Sequence, residues 1–532
     1  MVIVPDTNII LIKSPLKLDN YNQLTFTNAT AQYNYFTSLT KLQISDATYQ
    51  RKDGVIRFPT HTELNDGYPT FEDLLQYNYC MYQNNSFNSK WFYAFITDIK
   101  YINDGMTEIT IETDAFQSWQ FALQYKNSFI EREHVSSDTV GAHTLPENVE
   151  LGEYICTGQN KNDTLTSYEI IVASTVYLTS PYDNNGGGVY GGVYQGYRLY
   201  RFSNDSAGVL ALQNKIMALN QADKLNAIVG IYLAPLKFFD SGLNQGDEVT
   251  QTFTLTGYTW GTGALTDSPI TKPTTINGYS PKNNKLFTYP YCYLLMDNNN
   301  GGQAVYHFEL FNDPISTNEC VFDILGTPTF GGSFFVTPVN YKGQGDNYVE
   351  RLCGGKLPTC GFQNDTYINW LTENGVNVIT EFVTSGVSMT MGLASQNPNQ
   401  TMNGASGVAY SLNAINVASM QPAQFVGNAG TGDVNFASKN TTFTAYTMTI
   451  KSEYAQIIDN YFTMYGYKVN RLGTPNIHKR SNWDFIKCVD VNLEGDIPEA
   501  ELEKIRRLFN NGCTFWHTTS YYLDYSKTNS IL

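Results

Sequence analysis

The chain has 532 residues, of which 15 % are Asp, Glu, Lys or Arg, against roughly 25 % in ordinary soluble domains. Its net charge of -16 favours solubility but gives no overall electrostatic grip on nucleic acid or on an anionic lipid surface. A hydrophobic fraction of 42 % and a mean hydropathy of -0.30 exclude a disordered chain and a polytopic membrane protein, and the composition excludes a long charged coiled coil. Aromatics fill part of the charge deficit, with 38 Tyr, 30 Phe and 6 Trp; Asn, a turn former, fills more of it.

The amino-terminal region reads as β. Residues 91–101 place Trp91, Tyr93, Phe95, Ile99 and Tyr101 on one face at period two. After the turn Asn103, Asp104, Gly105, residues Ile109 and Ile111 alternate with Glu108, Thr110 and Glu112, which predicts a hairpin with one buried and one wet face. The pairs Asp53-Gly54 and Asp66-Gly67 suit further strand connections. The start of the chain has no basic region before its apolar run, so no secretory signal is expected, and no window approaches 18 apolar residues. The expected site of synthesis is a cytoplasm.

The middle is also strand-rich. Val209, Leu212, Ile216 and Leu219 recur at helical spacing after Ser206, and an apolar strand at residues 227–233 ends at Pro235. Asn277-Gly278 and the run from Asp297 to Gly302 read as turns. Towards the carboxyl end, Ser452 could cap a helix with an apolar stripe of Tyr454, Ile457, Ile458, Tyr461, Phe462 and Tyr465, stopped by Gly466. Asp496, Pro498 and Glu499 open a second helix carrying Ile505, Leu508 and Phe509, with Gly512 past its end and a charged, solvated face from Glu499 to Arg507.

Residues 382–432 break this pattern, since 51 consecutive positions lack Asp, Glu, Lys, Arg and His. They hold Met389, Met391, Met402 and Met420 among small and amide residues. The plain reading is a flexible uncharged loop. The functional one is a segment that meets an apolar or membrane environment after a rearrangement, where charge is least tolerated.

The chemistry-bearing motifs are weak. Residues 186–191 match GxGxxG, but no strand-turn-helix surrounds them, so a glycine hairpin is expected. Glu131, Arg132, Glu133 and His134 lack a second His and read as a salt-bridged strand end. Cys513 and His517, four apart on a strand, lie too far apart for a dyad. Glu112 and Asp114 share a strand face at a spacing a glycosidase could use, yet exposed hairpin faces carry such pairs routinely. None of the eight cysteines forms a CxxC pair; Cys353 and Cys360 lack a matching His, so buried reduced thiols are expected rather than zinc. No catalytic, cofactor or metal residue is assigned.

Two regions resemble a known family. Residues 90–98 (KWFYAFITD), 112–119 (ETDAFQSW) and 128–135 (SFIEREHV) form one; residues 465–471 (YGYKVNR) and 509–517 (FNNGCTFWH) form the other, with weaker similarity at residues 226–233 and 289–292. The chain is similar to the tail knob, or distal tail tube, proteins of small short-tailed phages of Gram-positive bacteria (the Picovirinae type). That resemblance implies a mainly β, α+β fold. A tail-tube-like β-barrel domain would be built from both chain ends, 1–135 with 445–532. A strand-rich knob would be inserted at 136–370, and a long internal loop at 371–444.

It further implies a structural, non-enzymatic virion protein, made in the host cytoplasm, that forms a homohexameric tube contacting lower collar, connector-side tail proteins. DNA would pass through without specific binding, and no cofactor is implied. The loop, with Phe382, Met389, Met391, Leu393, Met402, Val408, Tyr410, Leu412, Ile415, Val417, Met420 and Phe425, would plug the channel and help penetrate the host membrane. It departs from the family's apolar loops in its Asn, Gln, Ser and Thr content, which favours plugging over bilayer insertion. The rival expectations are a cell-wall hydrolase at the tail tip and a receptor-binding module whose aromatic-rich middle stacks on sugars.

Overall fold

The structure, a computed structural model, describes residues 7–360 and 443–532, apart from 48–52, 62–67, 85–88, 163–167, 239–241, 251–255, 261–268, 312–318, 328, 340, 343–349 and 358. The fold is strand-rich with few helices, as the sequence predicts. The chain divides into two compact units: residues 1–150, 281–285 and 453–532 form the first, and residues 151–280 and 286–452 the second.

The first unit has a six-stranded sheet in the order Lys41–Ala47, Thr7–Ile12, Tyr79–Asn84, Trp91–Asn103, Met106–Thr113, Val55–Pro59. Its two edge strands are consecutive in the chain. Ile9 and Leu11, with Leu42 and Ile44 beside them, pack in one cluster with Ile56 and Phe58 from the opposite edge and with Ile109 and Ile111 from the strand next to it. All six strands thus line one continuous apolar face, and the sheet forms a half-barrel.

The predicted hairpin forms, with Asn103 opposite Met106. Met106–Thr113 alternates buried and half-buried positions as expected. Trp91–Asn103 does not have a wet face along its whole length. Phe92, Ala94, Ile96 and Ile99 join the inner cluster, whereas Trp91, Tyr93 and Phe95 join a second cluster on the other face with Phe36, Tyr79, Trp483 and Trp516. The cause is the bulge between Ile96 and Asp98, which breaks the period-two face and moves Ile99 to the side opposite Phe95. Tyr101, beyond it, is exposed.

A five-stranded sheet completes this unit, in the order Asn22–Leu24, Cys513–Trp516, Trp483–Asp490, Ser128–Glu133, Tyr467–Gly473. Only the first pair is parallel. The helix Glu499–Asn511 packs Leu502, Ile505, Leu508 and Phe509 onto this sheet, and Gly512 follows it at φ 90°. Its charged face is not wholly solvated, because Glu501 is buried and accepts from the Trp119 indole N–H. Helix Ser452–Tyr465 buries Ala455, Ile458, Asp459 and Phe462. The apolar stripe is narrower than its sequence suggests, since Ile457 is exposed.

In the second unit, helix Ser206–Gln221 buries Val209, Leu212, Ile216 and Leu219 as predicted. Asp205 caps it, accepting from the Gly208 N–H at 2.7 Å. These residues pack on strands Arg198–Ser203, Tyr168–Ser174 and Ile228–Pro235 of a five-stranded sheet. Residues 186–191 enter the expected glycine hairpin, with Gly188–Tyr190 paired to Val193–Gln195. A four-stranded sheet places Thr444–Ile450 between Tyr154–Lys161 and Cys292–Asp297. Among the described residues, no helix is long and apolar enough to cross a membrane.

Cysteine burial is mixed. Cys80, Cys292, Cys320, Cys488 and Cys513 are buried free thiols, and Cys156 and Cys353 are free but exposed. Burial alone pushes the Cys80 thiol up to about 12, which makes it inert.

Candidate functional site: a buried ionic junction in the first unit

The twelve residues from Phe382 to Phe425 assigned to the internal loop lie outside the described residues. The densest described concentration of polar chemistry is instead where three chain segments of the first unit meet. Strand Ser128–Glu133 runs between Tyr467–Gly473 and Trp483–Asp490. Its last residues, 131–133 with His134 after them, are the short charged motif seen in the sequence.

Arg132 is buried and pairs with the fully buried Glu147 carboxylate, which also holds the Lys285 ammonium. The second Arg132 nitrogen donates to the Gly466 carbonyl at 2.7 Å, and the Lys468 N–H donates to Glu147 at 3.0 Å. One carboxylate thus links residues 132, 285 and 468. On the neighbouring residue, Glu133 accepts from Arg471 Nε at 2.7 Å and pairs with Lys479. Burial draws the Lys285 and Lys479 ammonium groups below their usual range, opposed by Glu147 and Glu133 respectively. The expected salt-bridged strand end is present, and it is a buried network.

A second anchor ties residues 281–285 to helix Ser452–Tyr465. The buried Asp459 carboxylate accepts from the Lys282 N–H at 2.8 Å, the Asn283 N–H at 3.0 Å and the Asn283 side-chain amide at 2.9 Å. Asp138 accepts from the Asn284 N–H at 2.9 Å and the Tyr467 hydroxyl at 2.7 Å. A buried charge is tolerated only when its oxygens are this fully used. The arrangement fixes backbone; it aims no group at a substrate.

The remaining sequence candidates separate. Glu112 lies at the surface, 3.0 Å from Lys504. Asp114 is buried and does not continue the strand: it caps helix Ala115–Trp119, accepting from the Gln117 N–H at 3.1 Å and the Tyr79 hydroxyl at 2.9 Å. Its oxygens serve the fold, so the two carboxylates are not an exposed pair. Cys513 is buried, and His517 bonds Thr25 at 2.7 Å and Asp484 at 3.1 Å instead. Among the described residues, no group of His, Cys, Asp and Glu could hold a metal ion. Sequence reading missed Glu147, Asp459 and Asn283, whose only signal was a lone polar residue in an otherwise ordinary segment.

Two buried groups carry opposite pH dependences. His134 accepts from the Phe485 N–H at Nδ1 (2.8 Å) and meets the Thr463 carbonyl at Nε2 (3.1 Å), so it is neutral with its proton on Nε2. Burial lowers its pKa to about 4 from 6.5. Burial raises that of Asp114 to about 6 from 3.8. The His134 contribution is present above pH 6.5 and lost as pH falls through 4. The Asp114 contribution is present below pH 3.8 and lost as pH rises through 6. Each amounts to about 3 kcal/mol, and over pH 4–6 they offset each other. Asp114→Asn keeps a capping acceptor and removes one side of this balance. Relative to the parent, the variant should gain about 3 kcal/mol of unfolding free energy between pH 4 and pH 6.5. Urea titrations across that range measure the difference, and a constant difference would contradict the assignment.

Comparison with known proteins places this architecture. The family model "Bacillus phage phi29, Tail knob protein gp9, C-terminal domain" matches residues 258–530. The model "Caudoviral major tail protein N-terminus" matches residues 6–124, the stretch that builds the half-barrel. The tail knob protein gp9 of Bacillus phage PZA is 25 % identical, over 96 % of this chain and 96 % of that protein. The gp9 of Bacillus phage phi29 is 22 % identical, over 99 % and 98 % respectively. The solved structure of the bacteriophage C1 tail knob protein, gp12, shares the fold with a TM-score of 0.62 at 16 % identity, covering 99 % of this chain and 100 % of that one. The chain therefore belongs to the gp9 family of tail knob proteins, structural components of the phage tail.

Proposed function

We propose that the chain assembles as a homohexameric ring that conducts DNA during ejection, with the first unit as tube wall and the second as knob. The observation carrying this reading is the coincidence of the major-tail-protein match at residues 6–124 with a half-barrel sheet whose edge strands, Lys41–Ala47 and Val55–Pro59, are open among the described residues. Joining such edges between copies closes a ring and removes aggregation-prone strands. The acidic chain suits a conduit, because a wall that releases few counterions from DNA does not hold it. The role is mechanical rather than enzymatic, with connector-side tail proteins as neighbours.

Residues 382–432 are proposed as the channel plug, with a part in host membrane penetration. Their freedom from charge supports this. Deleting them should leave ring assembly intact, seen by size-exclusion chromatography with light scattering, while abolishing dye leakage from liposomes at acidic pH. Full-length protein that never causes leakage would remove the membrane role and leave the plug.

A receptor-binding role for the second unit has its own support. Tyr289 stacks on His307 at 4.2 Å and 5°, and Tyr293 lies 5.9 Å from Tyr289 and 5.5 Å from Tyr154. Tyr154 and Tyr289 are exposed, and such rings suit stacking on sugars. Binding of the protein to purified wall glycopolymer, lost in Tyr289→Ala, would establish that role.

A further inference from the structure

The first unit contains a cavity of about 500 Å³ between the segment following strand Ser128–Glu133 and the edge strand Tyr467–Gly473. Lys468, Arg471 and Lys479 line it, and Glu133 is the one carboxylate among its lining residues. That is an excess of two positive charges in a chain whose net charge is -16. Glu133 already serves both Arg471 and Lys479. Among the described residues, the Lys468 ammonium has no ion-pair or hydrogen-bond partner.

The backbone gathers these cations. Residues three apart on a regular strand point to opposite faces. Here Lys468 pairs with Arg132 and Arg471 with Ile130, so three steps on one strand match two on the other. The extra residue is absorbed at Asn470, which adopts φ 42°. The bulge brings both Lys468 and Arg471 to the cavity, a device that strands use to re-aim side chains at sites. Burial, and more weakly the neighbouring Arg471, draw the Lys479 ammonium below its usual range against the pull of Glu133 and Asp484. The excess of positive charge is confined to the residues that line the cavity.

We propose that this cavity is a phosphate-group site, in which a bound phosphate oxyanion bridges Lys468 and Arg471 and offsets the two uncompensated charges. Arg471 holds Glu133 through Nε and one terminal nitrogen, which leaves its other terminal nitrogen for a phosphate oxygen, and Lys468 adds a point donor. The group could arrive as free phosphate or as part of a phosphodiester chain, and the two sources differ in what else they contact.

The test is titration of the full chain with inorganic phosphate at constant ionic strength, followed by thermal unfolding and by phosphorus NMR line broadening. Saturable stabilisation beyond that of chloride is expected, with affinity reduced at least about tenfold in Lys468→Met. The half-buried Lys468 has no polar partner to lose, so the variant should fold as the parent does. A short glycerol-phosphate oligomer binding about tenfold tighter than phosphate assigns the site to a polymer, and equal or weaker binding assigns it to the free ion. Absence of saturation, or equal binding by parent and Lys468→Met, overturns the proposal. So does a Lys468→Met effect confined to oligomeric state, which would make the site a contact for a carboxylate of a second copy.

Discussion

Glu147→Ala should lower the unfolding free energy of the first unit by about 3–5 kcal/mol, the usual consequence of removing one partner from a buried ion pair. The Glu147 side chain is fully buried and Lys285 nearly so, and Arg132 keeps only a tenth of its side-chain exposure. Without the carboxylate, two cations remain out of water with no countercharge, and the Lys468 N–H loses its acceptor. Glu147→Gln should be milder, since an amide oxygen can still accept from Lys468 and one cation. Denaturant unfolding monitored by tryptophan fluorescence reports on this unit through Trp483 and Trp516 in its core, alongside the signal of Trp260 in the second unit. Glu147→Ala within about 1 kcal/mol of the parent would mean that the network adds nothing to stability.

Gly466→Ala should be as severe, for a different reason. Gly466 ends helix Ser452–Tyr465 at φ 64°, and a Cβ there would stand 2.1 Å from the Glu133 carbonyl oxygen and 2.5 Å from the His134 nitrogen. Those atoms are backbone at the end of strand Ser128–Glu133, which cannot move aside without breaking its pairing to both neighbours. The expected cost is about 3 kcal/mol or more, combining the unfavourable dihedral with the overlap. Gly278 separates the two effects. It has φ 80°, and a methyl group added there would meet nothing within 4 Å, so Gly278→Ala should cost only about 1–2 kcal/mol. Equal melting shifts for the two variants would show that backbone crowding at Gly466 is unimportant.

Local pattern made several elements readable in the sequence. Pro498 and Gly512 bracket a helix because one cannot continue a helix backwards and the other accepts a positive φ, and Glu499–Asn511 forms between them. The spacing of Val209, Leu212, Ile216 and Leu219 is likewise the buried face of Ser206–Gln221. What failed was any inference needing a distant partner. Glu501 looks like one more solvent-facing charge, and it is buried because Trp119, 382 positions earlier, reaches it. Arg132 and Glu133 were legible as charged residues at a strand end. The Glu133 partners Arg471 and Lys479 lie far along the chain, and Arg132 shares Glu147, which stands in a segment without regular structure, with the distant Lys285. No periodicity marks a site assembled from three segments, so its extent emerged only from the fold.

Family membership has a similar physical basis. The aromatic runs at residues 90–98 and 509–517 are distinctive because they build the clusters that join the half-barrel to the second sheet of the same unit: Trp91, Tyr93 and Phe95 share one with Trp516. Residues with such a shared packing duty form a recognisable pattern even where overall identity is about a quarter. Lys468 and Arg471 lie in another of these recognisable segments, residues 465–471, and a single inserted residue brings them together.

The central claim is that this chain closes into a ring with a passage for DNA. Electron microscopy of the purified full-length protein, with class averages taken down the assembly axis, tests it most directly. Six-fold averages enclosing a channel wide enough for duplex DNA are the expected result. Monomers, or rings without a continuous central passage once residues 382–432 are deleted, would contradict it.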